Sequence, residues 1–261
     1  MYTQEISIEI NNPVDYDEVN DKMCDFAGCV VTNGQRQWYL NASYFDGNRF
    51  VWVVSTLEKN SLAPKYDNFY VKKYRKELEK LCGSKLKVRL LGENPYHASK
   101  ICTCKKPSCY VLFTDYCSDG SPISCGDCDG FVPLYKLPGI PDPLGRPTHY
   151  DALKWQILYK ACDELQMACG FAERWGMKQM QDADSGLSQE GRELCRKLEE
   201  LTCVPVYYYL YNYRRISRKR DCERPCPDCG GDWLLEERWH TLYDFCCEKC
   251  RLVSNISFEV R

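Results

Sequence analysis

Histidine, long apolar runs and net charge are all scarce in this sequence. Only three of the 261 residues are histidine, and the formal net charge is −2. No apolar stretch approaches the roughly 18 residues that span a bilayer. The first residues, MYTQEISIEINN, lack the basic and apolar regions of a signal peptide. We therefore expect a soluble, cytoplasmic protein with no membrane partner, whose surface as a whole does not attract polyanions.

Signatures of catalysis are also missing. The chain has no P-loop and no GxSxG pattern. Pro225-Cys226-x-x-Cys229 resembles half of the zinc-deaminase signature, but the histidines stand in HAS, HYD and HTL, and none supplies the required H-x-E. A redox CxxC needs a thioredoxin-like βαβ setting, which CPDCGG lacks. A cysteine nucleophile paired with a scattered histidine stays open as an alternative, but we expect no enzymatic activity.

Cysteine, in contrast, is abundant, with 19 residues. In a reducing compartment thiols stay free or bind metal, and an odd number cannot all pair within one chain. Cys226-x-x-Cys229 and Cys247-x-x-Cys250 are separated by seventeen residues. This spacing is typical of a zinc site in which two tight turns each supply two thiolates. The sequence therefore predicts a C-terminal zinc ribbon, with strands at 233–239, 242–245 and 252–259.

A second cysteine set is less regular. Cys102-x-Cys104 is followed after twenty residues by Cys125-x-x-Cys128. Two strand patterns, CYVLFTDY and GFVPLYKL, belong to this region, and we predict a second structural zinc ion here. Cys109 could replace one of the first pair, and His97 could compete. Most other cysteines, Cys246 among them, are predicted to be small core residues.

The first 95 residues are predicted to fold as β-α-β-β-α-β. Ile6, Ile8 and Ile10 alternate as in a half-buried strand, and apolar residues recur at helical spacing in 19–30 and 70–82. Asp46-Gly47-Asn48 is a turn signal between two further strands, and Gly83 ends the second helix. This order is typical of a ferredoxin-like α+β domain.

Three further segments complete the predicted α+β organisation. Residues 96–147 form a Cys-rich ribbon and a Pro-rich linker or loop, LPGIPDPLGRP. Residues 148–221 form a helical region with a Tyr-rich strand and a basic tract, and residues 222–261 form the zinc ribbon. In the strand VPVYYYLYNY, we expect Tyr207, Tyr209, Tyr211 and Tyr213 to share one face.

Two helices are predicted in the 148–221 segment. The first is expected to bury one apolar stripe, formed by Leu153, Ile157, Ala161, Leu165, Ala168 and Ala172. The second is expected to have Ser188 as N-cap and to direct Leu194, Leu198 and Leu201 inward. Several polar residues do not fit a core and indicate either a polar helix face or a binding surface; they are Gln156, Asp163, Gln166, Glu173 and Arg174.

Charge is distributed unevenly along the chain. Residues 1–30 carry seven acidic side chains against one lysine, residues 72–89 carry eight basic against two acidic, and RRISRKR covers 214–220. A solvated surface or linker is the simpler interpretation, because basic runs are weak signals. The alternative is phosphate binding, with the candidates Lys72, Lys73, Arg75, Lys76, Arg214, Arg215, Arg218, Lys219 and Arg220.

Five blocks in order carry a family resemblance: CGDCDGFVPLYKLP, LKWQILYKACDELQMACGFAERWGMKQM, SGLSQEGRELC, PVYYYLYNYRR and CPDCGGDWLLEERWHTLYDFCCEKCRLVSNI. Together they resemble a bacterial family of unknown function, described as zinc-ribbon-containing and as a candidate for nucleic-acid binding. The resemblance implies a C-terminal zinc ribbon and a nucleic-acid partner, DNA or RNA. It carries over Cys226, Cys229, Cys247 and Cys250 as ligands, with Cys102, Cys104, Cys125 and Cys128 as the second set. No catalytic residue comes with it.

Two functions from different classes fit these observations. The first is a non-enzymatic nucleic-acid-binding module with two structural zinc ions. Its basic clusters would neutralise phosphates, and exposed Trp233, Trp239 or tyrosines would stack on unpaired bases. The second is a protein-binding adaptor or inhibitor, such as an immunity protein that neutralises a toxin. Its acidic N-terminal segment would then meet a basic partner.

Overall fold

The structure, a computed structural model, describes residues 1–94 and 100–257, but not the side chains of residues 38–40. His97 and the end of the last predicted strand, residues 258–259, lie outside these ranges. The protein is a mixed α+β chain that divides into two compact units. The first comprises Met1–Ile101, Asp119–Ser121 and Phe131–Tyr150, and the second comprises Cys102–Ser118, Pro122–Gly130 and Asp151–Arg261.

The helices and strands follow one another in a fixed order along the chain. They are β1 (Tyr2–Glu9), α1 (Tyr16–Thr32), β2 (Gln37–Asp46), β3 (Arg49–Thr56), α2 (Phe69–Cys82), β4 (Lys87–Glu93), β5 (Tyr110–Leu112), β6 (Ile123–Cys125), β7 (Ile140–Pro141), β8 (Pro147–Thr148), α3 (Tyr150–Met167), α4 (Glu173–Gln181), α5 (Gly186–Thr202), β9 (Val206–Leu210), α6 (Arg218–Cys222), β10 (Leu234–Trp239), β11 (Tyr243–Cys247) and β12 (Leu252–Ser254).

The first unit has the predicted order of elements, β-α-β-β-α-β. Its sheet has the strand order β2-β3-β1-β4, and β1 pairs antiparallel with both β3 and β4. Ile6 and Ile8 on β1 are buried in one core with Phe26 of α1 and Leu78 of α2. Gly83 ends α2 in the left-handed conformation (φ 68°), as the sequence indicated. The Pro-rich segment forms the short hairpin β7–β8.

The second unit is built on a six-stranded sheet with the order β10-β11-β12-β9-β5-β6. The central strand β9 runs parallel to β5 on one side and to β12 on the other, and the remaining pairs are antiparallel. Both cysteine-bearing hairpins, β5–β6 and β11–β12, therefore attach to opposite edges of β9. The sheet therefore carries one member of each predicted cysteine set, Cys125 at the end of β6 and Cys247 at the end of β11.

Residues of β9 are buried on both faces of this sheet. Tyr208 packs against Trp155 of α3, with ring centroids 5.9 Å apart. On the other face, Tyr207 and Tyr209 join a cluster with Val111 and Tyr243. The prediction that exposed aromatic side chains stack on bases is therefore wrong for Tyr207 and Tyr209, and also for Trp233, which is 3% exposed.

The predicted apolar stripe on α3 is confirmed at Leu153, which is buried, but is wrong at Ile157 and beyond. The helix ends at Met167, and Ile157 is 48% exposed. The buried face instead contains Trp155 and Tyr159, whose rings lie 5.1 Å apart. These aromatic side chains bury more apolar area than Ile157 or the alanines, so they determine which face meets the sheet.

The start of α5 and the position of β6 also differ from the predictions. Ser185, not Ser188, is the N-cap, and its hydroxyl accepts a hydrogen bond from Ser188 N. Leu194 and Leu198 are buried as expected, but Leu201 is exposed because it lies on the outer side of the helix. The partner strand of β5 is Ile123–Cys125, whereas the predicted strand GFVPLYKL contains a 3-10 turn at Leu134–Lys136.

Candidate metal centres and a basic surface

The C-terminal cysteines come together as the spacing predicted. The Sγ atoms of Cys226, Cys229, Cys247 and Cys250 all lie within 4.8 Å of one another. The first pair sits on a tight turn, in which Gly230 adopts φ 71° and its N–H donates to Cys226 O at 2.9 Å. The second pair lies at the end of β11 and in the turn before β12. Two turns thus deliver two thiols each to one point.

Thiol geometry in this cluster fits a tetrahedral metal ion. The Sγ atoms of Cys229 and Cys247 are 3.7 Å apart. Four sulfurs at about 2.3 Å from a tetrahedral zinc ion are about 3.8 Å from one another. A hydrogen bond from the backbone of Gly231 lowers the pKa of Cys229 to about 7. Burial acts in the opposite direction on Cys247 and Cys250, whose pKa values it raises, so the spacing of the sulfurs rather than their acidity supports a metal site.

The central cysteines form a second cluster of the same kind. The Sγ atoms of Cys102, Cys104, Cys125 and Cys128 also lie within 4.8 Å of one another. Cys125 is the last residue of β6, and its carbonyl oxygen accepts from Asp129 N at 2.8 Å, which closes the second turn. Both four-cysteine groups can therefore hold a metal ion.

Cys109 and Cys246 lie outside both clusters. Cys109 lies beside Gly126, where a Cβ atom would meet its Sγ atom. Cys246 is partly buried, and burial raises the pKa of its thiol to about 11. Cys109 therefore does not replace a member of the first pair in this arrangement.

The tip of the β10–β11 hairpin contacts the central cluster. Trp239 Nε1 donates to the carbonyl oxygen of Gly126 at 2.9 Å, and His240 Nε2 lies 2.7 Å from the same oxygen. Gly126 stands between Cys125 and Cys128, so the hairpin is bound directly to the turn that carries two of the thiols. A side chain at Gly126 would also collide with the Trp239 ring.

The predicted basic tract at 214–220 lies on the surface of the second unit and has a buried anchor. Arg214 N donates to Ser257 Oγ at 2.7 Å. Asp221 on α6 is fully buried and accepts from Asn212 Nδ2 at 3.0 Å and from Ser257 N at 2.7 Å. The five candidate cations of the tract are all exposed.

Most cations of this tract are not neutralised by neighbouring carboxylates. Among residues 1–94 and 100–257, Arg214, Arg218 and Arg220 have no ion-pair partner, and Lys219 lies 4.0 Å from Glu223. Within the described ranges, these guanidinium groups are exposed to solvent and can meet an anion.

The predicted basic cluster on α2 is more strongly neutralised. Arg75 forms a 2.9 Å ion pair with the buried Asp67, and Lys73 lies 3.8 Å from Glu77. Lys72 and Lys76 are exposed. Further along, Lys85, Lys87 and Arg89 pair with Glu79, Glu9 and Glu5. Half of the predicted α2 candidates are thus engaged within the protein.

Sequence reasoning missed a surface on α4. Arg174 and Lys178 line a cavity of about 400 Å³ together with Arg214 of the basic tract and Pro227 of the C-terminal cysteine turn. Phe171 and Trp175 are exposed beside them. The sequence identifies Arg174 only as a polar residue that does not fit a core. The only signal in the sequence was two aromatic residues and two cations at helical spacing.

The other polar residues of this helical region do not form the solvent-exposed helix face that the sequence indicated as one alternative. Gln156, Asp163 and Gln166 are buried on α3, so they do not form a solvated face. Asp163 accepts a hydrogen bond from Tyr116 N at 2.8 Å, and burial raises the pKa of its carboxyl group. These side chains fix the loop after β5. Glu173 and Arg174 lie on α4, where Arg174 is exposed.

Three family models match successive parts of the chain. They are the domains of unknown function DUF8589 at residues 1–92, DUF2310 at 104–211 and DUF8594 at 215–260. Two proteins of Haemophilus influenzae, each named "Uncharacterized protein", are similar to the chain. One is 34% identical over 232 residues, which covers 87% of this chain and 86% of the relative. The other is 34% identical over 172 residues, which covers 65% of this chain and 81% of the relative.

The chain belongs to the family of these Haemophilus proteins. No solved structure matches it. None of the helices in the described residues combines the length and the apolar character needed to cross a lipid bilayer.

Proposed function

We propose that this protein is a non-enzymatic nucleic-acid-binding protein of the cytoplasm that is stabilised by two structural zinc ions. The observation that carries the proposal is that exposed cations lie beside the C-terminal cysteine turn. Arg174, Lys178 and Arg214 surround the same cavity as Pro227, which directly follows Cys226. A metal ion that fixes this turn would also fix one wall of the basic surface.

Zinc is the metal that the ligands favour. Four thiolates in a tetrahedral arrangement are typical of structural zinc sites, and zinc supplies on the order of 10–16 kcal/mol in zinc-finger peptides. With all four positions filled by sulfur, no position remains for a catalytic water. This supports a structural role for both ions, and it supports a zinc-ribbon assignment for the β10–β12 segment. Thiolate ligands also need a reducing compartment, as the cytoplasm provides.

The sheet of the first unit supports the assignment of a ferredoxin-like fold. Its strand order, β2-β3-β1-β4, with two helices in a β-α-β-β-α-β sequence is the arrangement of ferredoxin-like domains. We include this in the proposal, although such a fold hosts many functions and indicates none by itself.

Nucleic acid is the partner that the charge distribution of the second unit favours. The chain is nearly neutral, with a net charge of −2, so an anion-binding region has to be local. Arg214, Arg218 and Arg220 provide that region, because they are exposed and have no ion-pair partner in the described part of the chain. Each contact with a phosphate would release counterions, so binding should weaken strongly as salt rises.

The test is fluorescence anisotropy of the zinc-loaded full chain with labelled single- and double-stranded DNA and RNA over a range of salt. A variant with Ala at Arg214, Arg215, Arg218, Lys219 and Arg220 should bind at least about tenfold more weakly. The matched control replaces Lys85, Lys87 and Arg89, exposed cations that pair with Glu79, Glu9 and Glu5, by Ala and should stay within about twofold of the parent. No binding at low salt, or equal binding by the first variant, would overturn the proposal.

A second candidate is an adaptor or inhibitor that binds a basic protein. It is favoured by one observation: the acidic residues of α1 face solvent. Asp17, Glu18, Asp21 and Asp25 are exposed, and only Lys22 offsets them on that helix, where it pairs with Asp25 and Glu77. Replacing Asp17, Glu18 and Asp21 by Asn, Gln and Asn should abolish capture of such a partner and leave nucleic-acid affinity unchanged or higher.

A further inference from the structure

Two aromatic side chains are unusually exposed, Trp175 on the outer side of α4 and Phe171 in the turn just before the helix. Phe171 is 92% exposed and Trp175 is 56% exposed. The opposite side of the helix is buried through Gly176 and Met180. Large apolar groups held in solvent on an ordered helix are a common mark of a binding surface.

The helix is held firmly enough to serve as a platform. A Cβ atom at Gly176 would collide with the carbonyl oxygen of Cys162, so α4 lies directly on α3 at this point. At its other end, Tyr211 N donates to Met180 O at 3.2 Å, and Tyr213 N donates to Gln181 Oε1 at 3.0 Å. The Trp175 ring therefore projects from a backbone with fixed neighbours, and Phe171 precedes the same helix by two residues.

Cations are interleaved with these rings. Arg174 and Lys178 are one helical turn apart on the exposed side of α4, and Arg214 lies across the cavity that they line. None of the three has an ion-pair partner in the described ranges of the chain. Asp182 and Asp184 also line the cavity, so the surface is mixed near the end of α4 and more basic toward Arg214.

We propose that the α4 surface, Phe171, Arg174, Trp175 and Lys178 with Arg214, binds single-stranded nucleic acid; this inference rests on the proposed function. Trp175 and Phe171 stack on unpaired bases, and the three cations contact the phosphates between them. The faces of bases are accessible only in an unpaired strand, since a duplex stacks them on one another. A fully paired duplex would leave both rings without a partner.

The test compares affinities of the zinc-loaded full chain for a fluorescein-labelled 20-nucleotide oligo(dT) and for a 20-base-pair duplex. We expect the parent to prefer the single strand. Trp175→Ala should weaken oligo(dT) binding at least about tenfold, because each stacked base contributes strongly to affinity. Adding Phe171→Ala to this variant should weaken binding further. Trp175→Phe should retain most of the binding, since a ring remains. Arg174→Ala with Lys178→Ala should reduce the slope of affinity against log salt.

The control is Tyr150→Ala, which removes another aromatic residue of 55% exposure at the start of α3. It should bind both probes as the parent does. Zinc content and circular dichroism of every variant check the fold, which these exposed substitutions should leave intact.

Each outcome separates the inference from the proposed function. Salt-dependent binding that Trp175→Ala and Phe171→Ala leave unchanged would overturn the inference and leave the proposed function standing. A preference of the parent for duplex would do the same. Absence of binding to every oligonucleotide at low salt would overturn both and would assign the exposed rings to a protein partner.

Discussion

Trp239 on the C-terminal hairpin donates its indole N–H to the carbonyl oxygen of Gly126, at 2.9 Å, between two cysteines of the central cluster. The residues are 113 positions apart in sequence. The hairpin that follows one cysteine turn thus stabilises the turn of the other cluster. Occupation of either cluster by metal should therefore help to order both.

This relationship predicts that Gly126→Ala disrupts the central cluster. The new methyl group would collide with the Trp239 ring and with Cys109 Sγ, and overpacking of this kind costs about 1–3 kcal/mol. We expect a lower melting temperature and loss of metal from the central site first. Gly145→Ala provides no steric test because of its positive φ, so Gly92→Ala, with open space around it, is the better control. Equal stability of the Gly126 and Gly92 variants would contradict the packing described.

Metal content provides a second prediction. We expect two zinc ions per chain by inductively coupled plasma mass spectrometry. Cys229→Ser and Cys125→Ser should each reduce this to about one, because three thiolates hold zinc much more weakly than four. Cys24→Ser, which changes an exposed cysteine outside both clusters, is the control and should retain both ions. A parent that binds one ion or none would refute the assignment of two structural sites.

The buried carboxylate below the basic tract provides a third prediction. Asp221 is fully buried, and the Arg224 guanidinium lies 3.2 Å from it. Replacing Asp221 by Ala leaves Arg224 buried without its charge partner and should cost about 3–5 kcal/mol. The exposed Glu223→Ala should cost less than about 1 kcal/mol. Urea unfolding measures both, and similar costs for the two variants would show that the anchor is not energetically important.

A fourth prediction concerns pH. His149 in the first unit is 5% exposed, and burial lowers its pKa to about 4. Between about pH 6.5 and pH 4 the unfolded chain binds a proton that the folded chain does not, so stability should fall as pH falls through this range. Over this range His149 should lower the free energy of unfolding by about 3 kcal/mol. His149→Leu should remove this decrease.

The comparison that isolates His149 is the difference in unfolding free energy between parent and variant at each pH. Loss of metal at low pH affects both proteins equally and cancels. A difference that stays constant from pH 7 to pH 4.5 would contradict the prediction.

The two four-cysteine clusters were predictable from sequence, and the exposed surface was not. CxxC pairs place two thiols on one tight turn, so Cys226 and Cys229 needed no knowledge of the rest of the fold. The alternation of Ile6 and Ile8 likewise identified β1. The buried side of α3 is determined by Trp155 and Tyr159, which pack against the sheet. This tertiary contact leaves Ile157 of the predicted stripe exposed.

Tertiary contacts also explain why the exposed surface of α4 could not be predicted from sequence. Nothing local distinguishes Trp175, which is exposed, from Trp155, which is buried, since both lie in helices among polar residues. The exposure of Arg174 and Lys178 is likewise a property of the folded chain. Basic runs were visible in sequence, but only the structure separates the α2 run, where Arg75 is bound to Asp67, from the tract that starts at Arg214.

The parallel pairing of β9 with β12 means that the family models divide the chain at a place where the fold cannot be divided. A cut near residue 213 falls between two matched regions, yet it would remove β10–β12 from β9 and leave the backbone hydrogen-bonding groups of β9 unsatisfied on that side. The two fragments should aggregate when produced alone and recover a native sheet when produced together, as in a split-protein complementation assay. We therefore expect that loss or replacement of the last forty-odd residues destabilises the six-stranded sheet.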